Sequence, residues 1–296
     1  MIFPLELVKL TALMELTSGS PEVAIGLIDG PVVTQHADLE DKYRRVFPGS
    51  HASKCTQSSS TACQHGTFVA GILFAKRQSS APAICPNCTL LIRPIFAETT
   101  SGREHMPSAT PLELAAAIRD CIEAGARVIN LSLALVQPFT KGAQALEEAL
   151  NQAIRRGVLI VAAAGNQGTL GSSAITRHPW IIPVVACNLR GQPMNQSNLG
   201  SSLGRWGISA PGDSITSLGS EGQSLTLGGT SVAVPFVTGA IALLWSEFPN
   251  ATAAQIKLAI TQVNTLRRTS VVPPVMDAAA AYQTLLKAHG QKMKKE

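Results

Sequence analysis

Five short runs of aliphatic residues alternate along the chain with longer stretches in which apolar residues recur every three or four positions. Such runs are typical of strands buried on both faces of a parallel sheet, and the longer stretches are typical of amphipathic helices. The predicted strands are residues 23–28, 89–95, 127–133, 158–164 and 181–186, and the predicted helices are 66–76, 112–124, 143–156, 231–248, 253–262 and 278–288.

Alternating strands and helices predict an α/β fold, with a doubly wound, mostly parallel sheet flanked by helices. The length of 296 residues, without repeats or a long linker, predicts a single domain over residues 1–296. In doubly wound sheets the functional site lies at the carboxyl ends of the strands. Candidate chemistry is therefore expected directly after strands and at the starts of the helices that follow.

Charge and hydropathy exclude two classes of partner. The net charge is +5, and the basic residues are scattered apart from Lys292, Lys294 and Lys295, so no basic face for nucleic acid is expected. No run reaches the roughly 18 apolar residues of a membrane span. The first 20 residues lack the basic region of a secretory signal, which predicts a cytoplasmic location.

An aspartate and a histidine occupy the positions where chemistry is expected. Asp29 ends the run VAIGLIDG, and His65 in QHGTFVAG directly precedes the predicted helix 66–76, so its ring is expected to point out of the first turn. Each also has an ordinary explanation. An aspartate before glycine is common in turns, and a single histidine is most often a surface residue.

A serine and an asparagine stand at comparable positions. Ser231, in LGGTSVAVP, opens a predicted helix whose free N–H groups and positive dipole end favour an oxyanion. Pro235 is expected in or near the first turn of that helix, where no N–H is needed. Asn166, in AAAGNQG, follows a strand and has a carboxamide donor. The ordinary explanations are a helix cap at Thr230 or Ser231 and a turn asparagine.

Together these four residues match the requirements of acyl transfer. The histidine takes the serine proton, the aspartate fixes the histidine tautomer, and the asparagine stabilises the tetrahedral intermediate. Each signal is weak alone, but the combination predicts a hydrolase with Asp29, His65, Ser231 and Asn166 as catalytic residues. An esterase would have a G-x-S-x-G elbow, which Gly229-Thr230-Ser231 does not form. A non-catalytic peptide-binding scaffold would lack part of the set.

The order Asp, His, Ser and the motifs DG, HGT-x-VAG, AAAGN-x-G and GTS-x-A-x-P resemble the subtilases over about residues 21–248. The resemblance implies a serine endopeptidase without a cofactor, acting on a peptide or protein substrate. It implies that the backbone N–H of Ser231 is a second oxyanion donor. It also implies that the peptide lies extended between two strands. The implied substrate-binding residues are Ser132, Leu133 and Ala134 on one strand, Ser101, Gly102, Arg103 and Glu104 on the other, and Gln167 at the pocket rim.

Several positions depart from the subtilase pattern. Ala134 and Leu135 stand where small residues usually open the pocket, so a shallow pocket and a small residue before the cut are expected. Arg103 either pairs with an acidic substrate residue or is a solvated surface side chain. The loop at 76–88 lacks the Asn-rich calcium ligands of secreted members, so no metal is predicted. Only 28 residues precede Asp29, which leaves no room for a folding pro-domain and favours an intracellular processing enzyme.

A narrower resemblance is to the cyanobactin proteases, subtilases that mature ribosomal peptides and share a cysteine-bearing loop before HGT and another near CPNC. One kind of member removes a leader by hydrolysis, and the other cyclises the product. Cyclising members carry a helical insert near the histidine, whereas residues 49–64 show no helical periodicity. The resemblance therefore implies the leader-cleaving kind, with a macrocyclase as the alternative.

The six cysteines leave three interpretations open. Cys55 and Cys63, and Cys85 and Cys88, can form local disulfides, remain free thiols, or bind zinc. Seven residues separate the first pair, more than is usual for zinc, and a redox CxxC normally opens a helix, whereas this one precedes a strand. The remaining two, Cys121 and Cys187, are expected to be buried and inert.

Overall fold

A computed structural model describes residues 3–39, 44–47, 55–98, 109–133, 142–261 and 269–290. Its main sheet has seven parallel strands in the order β2-β3-β1-β4-β5-β6-β7, and β8 and β9 form a separate antiparallel pair. The strands are β1 Ala24–Asp29, β2 Arg44–Val46, β3 Thr89–Pro94, β4 Val128–Leu131, β5 Leu159–Ala163, β6 Ile182–Cys187, β7 Ile208–Pro211, β8 Ile215–Leu218 and β9 Ser224–Leu227.

The helices that the structure describes lie mainly in the connections between these strands. They are α1 Pro4–Leu7, α2 Thr11–Leu16, α3 Thr61–Phe74, α4 Pro111–Glu123, α5 Ala143–Arg156, α6 Ala174–Arg177, α7 Ser201–Trp206, α8 Thr230–Glu247, α9 Ala253–Thr261 and α10 Ala278–Gly290. The predicted α/β fold with a doubly wound parallel sheet is confirmed. The pattern did not identify the edge strands β2 and β7, because an arginine pair and a Ser-Ala-Pro sequence do not form an aliphatic run.

Alternate residues of each strand enter two different cores, one on each face of the sheet. In β4, Val128 packs into the core that contains α3 and α8, whereas Ile129 and Leu131 pack into the core that contains α4 and α5. Successive strand side chains point to opposite faces. Asn130 must therefore face the α8 side, and its fully buried carboxamide needs hydrogen-bond partners there.

The central helix α8 is apolar on all sides. By length and hydropathy alone it could cross a membrane, contrary to the expectation that no segment of the chain would reach that length. However, 83% of the helix is buried inside the protein, where it packs against β4, β5, β6 and β7. A helix that is hydrophobic all round is also typical of the core of a large soluble domain, so its composition is weak evidence for a membrane.

Helix α3 packs directly on the end of β1 through two glycines. A Cβ atom on Gly30 would lie 2.0 Å from the carbonyl oxygen of Ala62, and one on Gly66 would lie 2.5 Å from that of Gly30. No side chain fits at these distances, so glycine is required at both positions. The close contact brings His65 alongside Asp29.

The start of α3 differs from the prediction. The helix begins at Thr61 and not at residue 66, so His65 lies in its second turn and not at its N-terminus. Residues 61–64 are therefore helical, and residues 49–54 of the predicted loop lie outside the described part of the chain. Ser60 is the N-cap residue, but its side chain makes no capping hydrogen bond. The helix extends this far because Ala62 and Cys63 are buried in tertiary packing, which a periodicity argument does not detect.

Candidate active site

Three side chains from separate elements form one hydrogen-bonded chain at the carboxyl edge of the sheet. The Oδ1 atom of Asp29, the last residue of β1, lies 2.7 Å from Nδ1 of His65. On the other side of the imidazole, Nε2 lies 3.0 Å from Oγ of Ser231. The three predicted residues are thus brought together in the order acid, imidazole, hydroxyl, which is the arrangement that moves a proton from a serine.

The carboxylate of Asp29 is almost completely buried, with 1% exposure. Its Oδ1 also accepts the N–H of Gly30 at 2.7 Å, while its buried Oδ2 has no hydrogen-bond partner among the described residues. Within the described chain, the partners of this carboxylate are therefore one backbone amide and His65. A buried carboxylate with so few donors interacts strongly with the imidazole beside it.

Two opposing effects act on the pKa of His65. Burial disfavours the imidazolium and lowers the pKa, whereas the negative charge of Asp29 and its hydrogen bond raise it. The effects of Asp29 prevail, so the pKa of His65 is above its ordinary value. The imidazole is consequently a stronger base than a buried histidine without a carboxylate partner.

Asn166 is oriented by the residue that precedes Ser231. The backbone N–H and the hydroxyl of Thr230 donate to Oδ1 of Asn166 at 2.9 and 3.0 Å, and the N–H of Gly165 donates to Oγ1 of Thr230 at 3.2 Å. Because Oδ1 is occupied, the Nδ2 donor of Asn166 is left for another acceptor. The sequence suggested Thr230 only as a helix cap and did not indicate this role.

The loop that carries Asn166 is held by Asn198, which sequence reasoning missed. Its Oδ1 accepts from the N–H groups of Gln167 and Thr169 and from the hydroxyl of Thr169, each at 3.1 Å. Its Nδ2 donates to Oε1 of Gln167 at 2.7 Å and to the carbonyl of Ala164 at 3.2 Å. The hydrogen bonds of this one side chain hold the loop in place of the backbone bonds of a helix or strand. No local sequence pattern around Asn198 indicates this role.

Ser231 is the second residue of α8, after the N-cap Gly229. The helix N-terminus supplies free N–H groups and a positive dipole end beside its hydroxyl. The prediction for Pro235 is wrong, because this proline is the sixth residue of α8 and lies inside the helix. At this position its missing N–H removes one intrahelical hydrogen bond.

The implied substrate-binding residues fall into three groups. Ser132 and Leu133 are 2% and 7% exposed, so their side chains belong to the interior, and a peptide would pair with backbone groups there. Gln167 is exposed and bonded to Asn198. The remaining residues, Ala134, Ser101, Gly102, Arg103 and Glu104, lie outside the described residues.

The cysteines resolve into one disulfide and four buried thiols. Of the interpretations left open by the sequence, the disulfide applies to Cys55 and Cys63, which are joined, and the free thiols apply to Cys85 and Cys88. Cys121 and Cys187 are buried as expected, and burial raises the pKa of each thiol to about 12. A thiol with so high a pKa is inert near neutral pH.

One group of metal-type ligands lies near the disulfide within the described residues. The sulfurs of Cys55 and Cys63 and a carboxylate oxygen of Glu98 lie within 4.8 Å of one another. A cysteine binds zinc as a thiolate, and these two sulfurs are instead bonded to each other. Glu98 accepts the N–H groups of Thr56 and Gln57 at 2.9 and 3.0 Å, so its carboxylate has partners without a metal.

The fold and the order of these three residues along the chain are those of the subtilase family. The model of the subtilase family matches residues 20–287, and the chain belongs to this family. Subtilisin amylosacchariticus from Bacillus subtilis subsp. amylosacchariticus is 32% identical over 240 residues, which are 79% of this chain and 58% of the relative. The chain therefore spans less than two thirds of the length of the first curated relatives it matches.

Solved structures of maturation proteases have a similar fold. A mutant of the protease domain of PatA has 31% identity and a TM-score of 0.81, and the match covers 92% of this chain and 97% of that one. The prenylagaramide maturation protease PagA has 27% identity and a TM-score of 0.76, with coverage of 93% and 98%. The PatG macrocyclase in complex with peptide, at 23% identity and a TM-score of 0.79 with coverage of 93% and 95%, shows a shared fold only.

Proposed function

We propose that this chain is a serine endopeptidase that hydrolyses peptide bonds through an acyl-enzyme. The observation that carries the proposal is the continuous hydrogen-bonded chain from Asp29 through His65 to Ser231. In this proposal Ser231 is the nucleophile and His65 the general base. Asp29 holds the imidazole with a proton on Nδ1, so that Nε2 is free to accept the serine proton.

The oxyanion is assigned to two donors on neighbouring elements. As the serine oxygen attacks, the carbonyl oxygen of the substrate becomes negative and needs preorganised N–H groups. Nδ2 of Asn166 is one candidate, because Thr230 occupies its Oδ1. The backbone N–H of Ser231, at the start of α8, is the other. His65 then returns the proton to the leaving amine, and a water completes hydrolysis by the same route.

A measurable consequence concerns Asn166. Asn166→Ala is expected to lower kcat about 100- to 1,000-fold with little change in KM, because the donor acts mainly in the transition state. Steady-state kinetics on a chromogenic peptide measures this effect. Asn250→Ala, which changes an exposed asparagine beyond the far end of α8, is the matched control and should keep the wild-type rate. A change confined to KM would place Asn166 in substrate binding instead.

We further propose that the substrate is a ribosomally made precursor peptide from which a leader is cut. The likeness to the structures of PatA and PagA over more than nine tenths of the chain supports this substrate class. A macrocyclase is the alternative product chemistry. The single domain over 1–296 and the cytoplasmic location stay predictions.

The test is to incubate the protein with a panel of leader-bearing precursor peptides and to analyse the products by mass spectrometry. Leader cleavage yields two linear fragments whose masses sum to that of the substrate plus one water. Cyclisation yields a core product lighter by one water than its linear form. Cleavage of unstructured control peptides of scrambled sequence at equal rates would reject the precursor-peptide assignment while leaving the endopeptidase assignment intact.

A further inference from the structure

The backbone carbonyl of Ser231 loses its regular helix partner. In an α-helix the carbonyl of residue i accepts the N–H of residue i+4. For Ser231 that residue is Pro235, which has no N–H and whose ring crowds the same carbonyl. The carbonyl of the proposed nucleophile therefore receives no hydrogen bond from its i+4 residue within α8.

A side chain from the sheet supplies the missing donor. The hydroxyl of Ser132, just after β4, donates to the Ser231 carbonyl oxygen at 2.9 Å. Ser132 is 2% exposed, and 99 residues separate it from Ser231 in the sequence. Its hydroxyl thus replaces one backbone hydrogen bond of α8 with a bond from the neighbouring strand.

Two further buried groups determine the direction in which Ser132 donates. Nδ2 of Asn130 donates to Oγ of Ser132 at 2.8 Å, so the serine proton must point elsewhere. Oδ1 of Asn130 accepts the hydroxyl of Thr238 at 2.9 Å, which holds the carboxamide in this orientation. Asn130 and Thr238 are fully buried, and the chain Thr238, Asn130, Ser132, Ser231 carbonyl is satisfied at each link. Satisfied buried networks of this kind select one geometry.

We propose that Ser132 is a positioning residue for the nucleophile, and that Asn130 and Thr238 keep it in the donating orientation. By holding the Ser231 carbonyl, the network sets the backbone of Ser231 and, with it, the direction in which Oγ faces His65. The inference rests on the proposed role of Ser231. It assigns a function to the buried polar residues of β4 and mid-α8 that the catalytic residues themselves do not explain.

A double-mutant cycle with Pro235 tests the replacement directly. Ser132→Ala is expected to slow acylation by a fluorophosphonate probe about 3- to 10-fold, the usual effect of one hydrogen bond. Pro235→Ala restores a backbone N–H at the i+4 position, so in that background Ser132→Ala should slow acylation less than about 2-fold. The quantity measured is the first-order inactivation constant at saturating concentrations of the probe. This constant describes each folded active site, so its value does not change when part of the sample is unfolded.

Two substitutions of Thr238, made in the protein that keeps Pro235, provide a second and independent test of the network. Thr238→Val removes the hydroxyl at nearly constant volume and should slow acylation, whereas Thr238→Ser keeps the hydroxyl and should retain most of the wild-type constant. The inference would be overturned if Ser132→Ala slowed acylation equally in the protein that keeps Pro235 and in the Pro235→Ala variant. If the Pro235→Ala variant is unreactive, equal constants for the two Thr238 variants would overturn it. Failure of wild-type labelling at Ser231 would instead reject the proposed function.

Discussion

Ser231→Ala is expected to lower kcat for peptide hydrolysis by about 10⁶-fold and to abolish labelling by a fluorophosphonate. The substitution removes only Oγ, the atom that lies 3.0 Å from Nε2 of His65, and leaves the helix backbone and the N–H donors in place. Triads of this kind act as a unit, so loss of the nucleophile removes nearly all of their contribution. A residual rate above that of water would come from the oxyanion donors and from binding alone.

The measurement combines initial rates on a peptide substrate with mass mapping of the labelled residue. Ser224→Ala is the matched control, because Ser224 is exposed on β9 and its hydroxyl donates to Ser80 at 2.8 Å. The control should label and turn over like the wild type. Undiminished labelling of the Ser231→Ala variant would show that another residue is the nucleophile and would contradict the proposed function.

Asp29→Asn is expected to lower kcat/KM about 10⁴-fold near neutral pH. The variant keeps the size of the side chain, but a carboxamide can present an N–H to His65, which stabilises the tautomer with its proton on Nε2. In that tautomer Nε2 cannot accept the proton of Ser231. The loss is therefore predicted for the rate of acylation, with little effect on the folded structure.

The same variant should also move the pH dependence. His65 must be neutral to act as a base, and Asp29 raises its pKa, so the wild-type rate should increase with pH through a midpoint above about 6.5. In the Asp29→Asn variant the carboxylate no longer raises the pKa of His65, whereas burial of the imidazole still lowers it. The acid limb of the Asp29→Asn profile should therefore lie at lower pH than that of the wild type.

Profiles of kcat/KM between pH 5 and 9 for both proteins provide the measurement, since this parameter reports groups of the free enzyme. Asp277→Asn is the control, because it also replaces a carboxylate by a carboxamide, but the carboxylate is one that pairs with Lys9 at 2.5 Å and not with His65. The control should leave both the rate and the midpoint unchanged. A wild-type profile that is flat over this range, or an acid limb that does not move in Asp29→Asn, would argue against His65 as the base.

The pattern of apolar residues was sufficient to predict the five central strands of the main sheet and the main helices. Strands β1, β3, β4, β5 and β6 are buried on both faces, so their sequences are continuous aliphatic runs that cannot be confused with loops. The carboxyl ends of parallel strands lie at one edge of the sheet. For that reason the sequence alone indicated that Asp29 and Asn166, each at or just after a strand end, share a site.

Tertiary contacts determine the start of α3 and the hydrogen-bond partners of the buried polar side chains, which the local sequence pattern does not encode. The start of α3 depends on the close approach of Ala62 to Gly30, and the partners of Asn198 come from a loop about 30 residues away. The sequence showed a proline four residues after Ser231 but not that it lies inside the helix, nor that Ser132 supplies the missing hydrogen bond. Periodicity reports the environment of each residue along its own element. The partner of a buried polar atom is determined by which elements the fold places together, and only the packed structure specifies it.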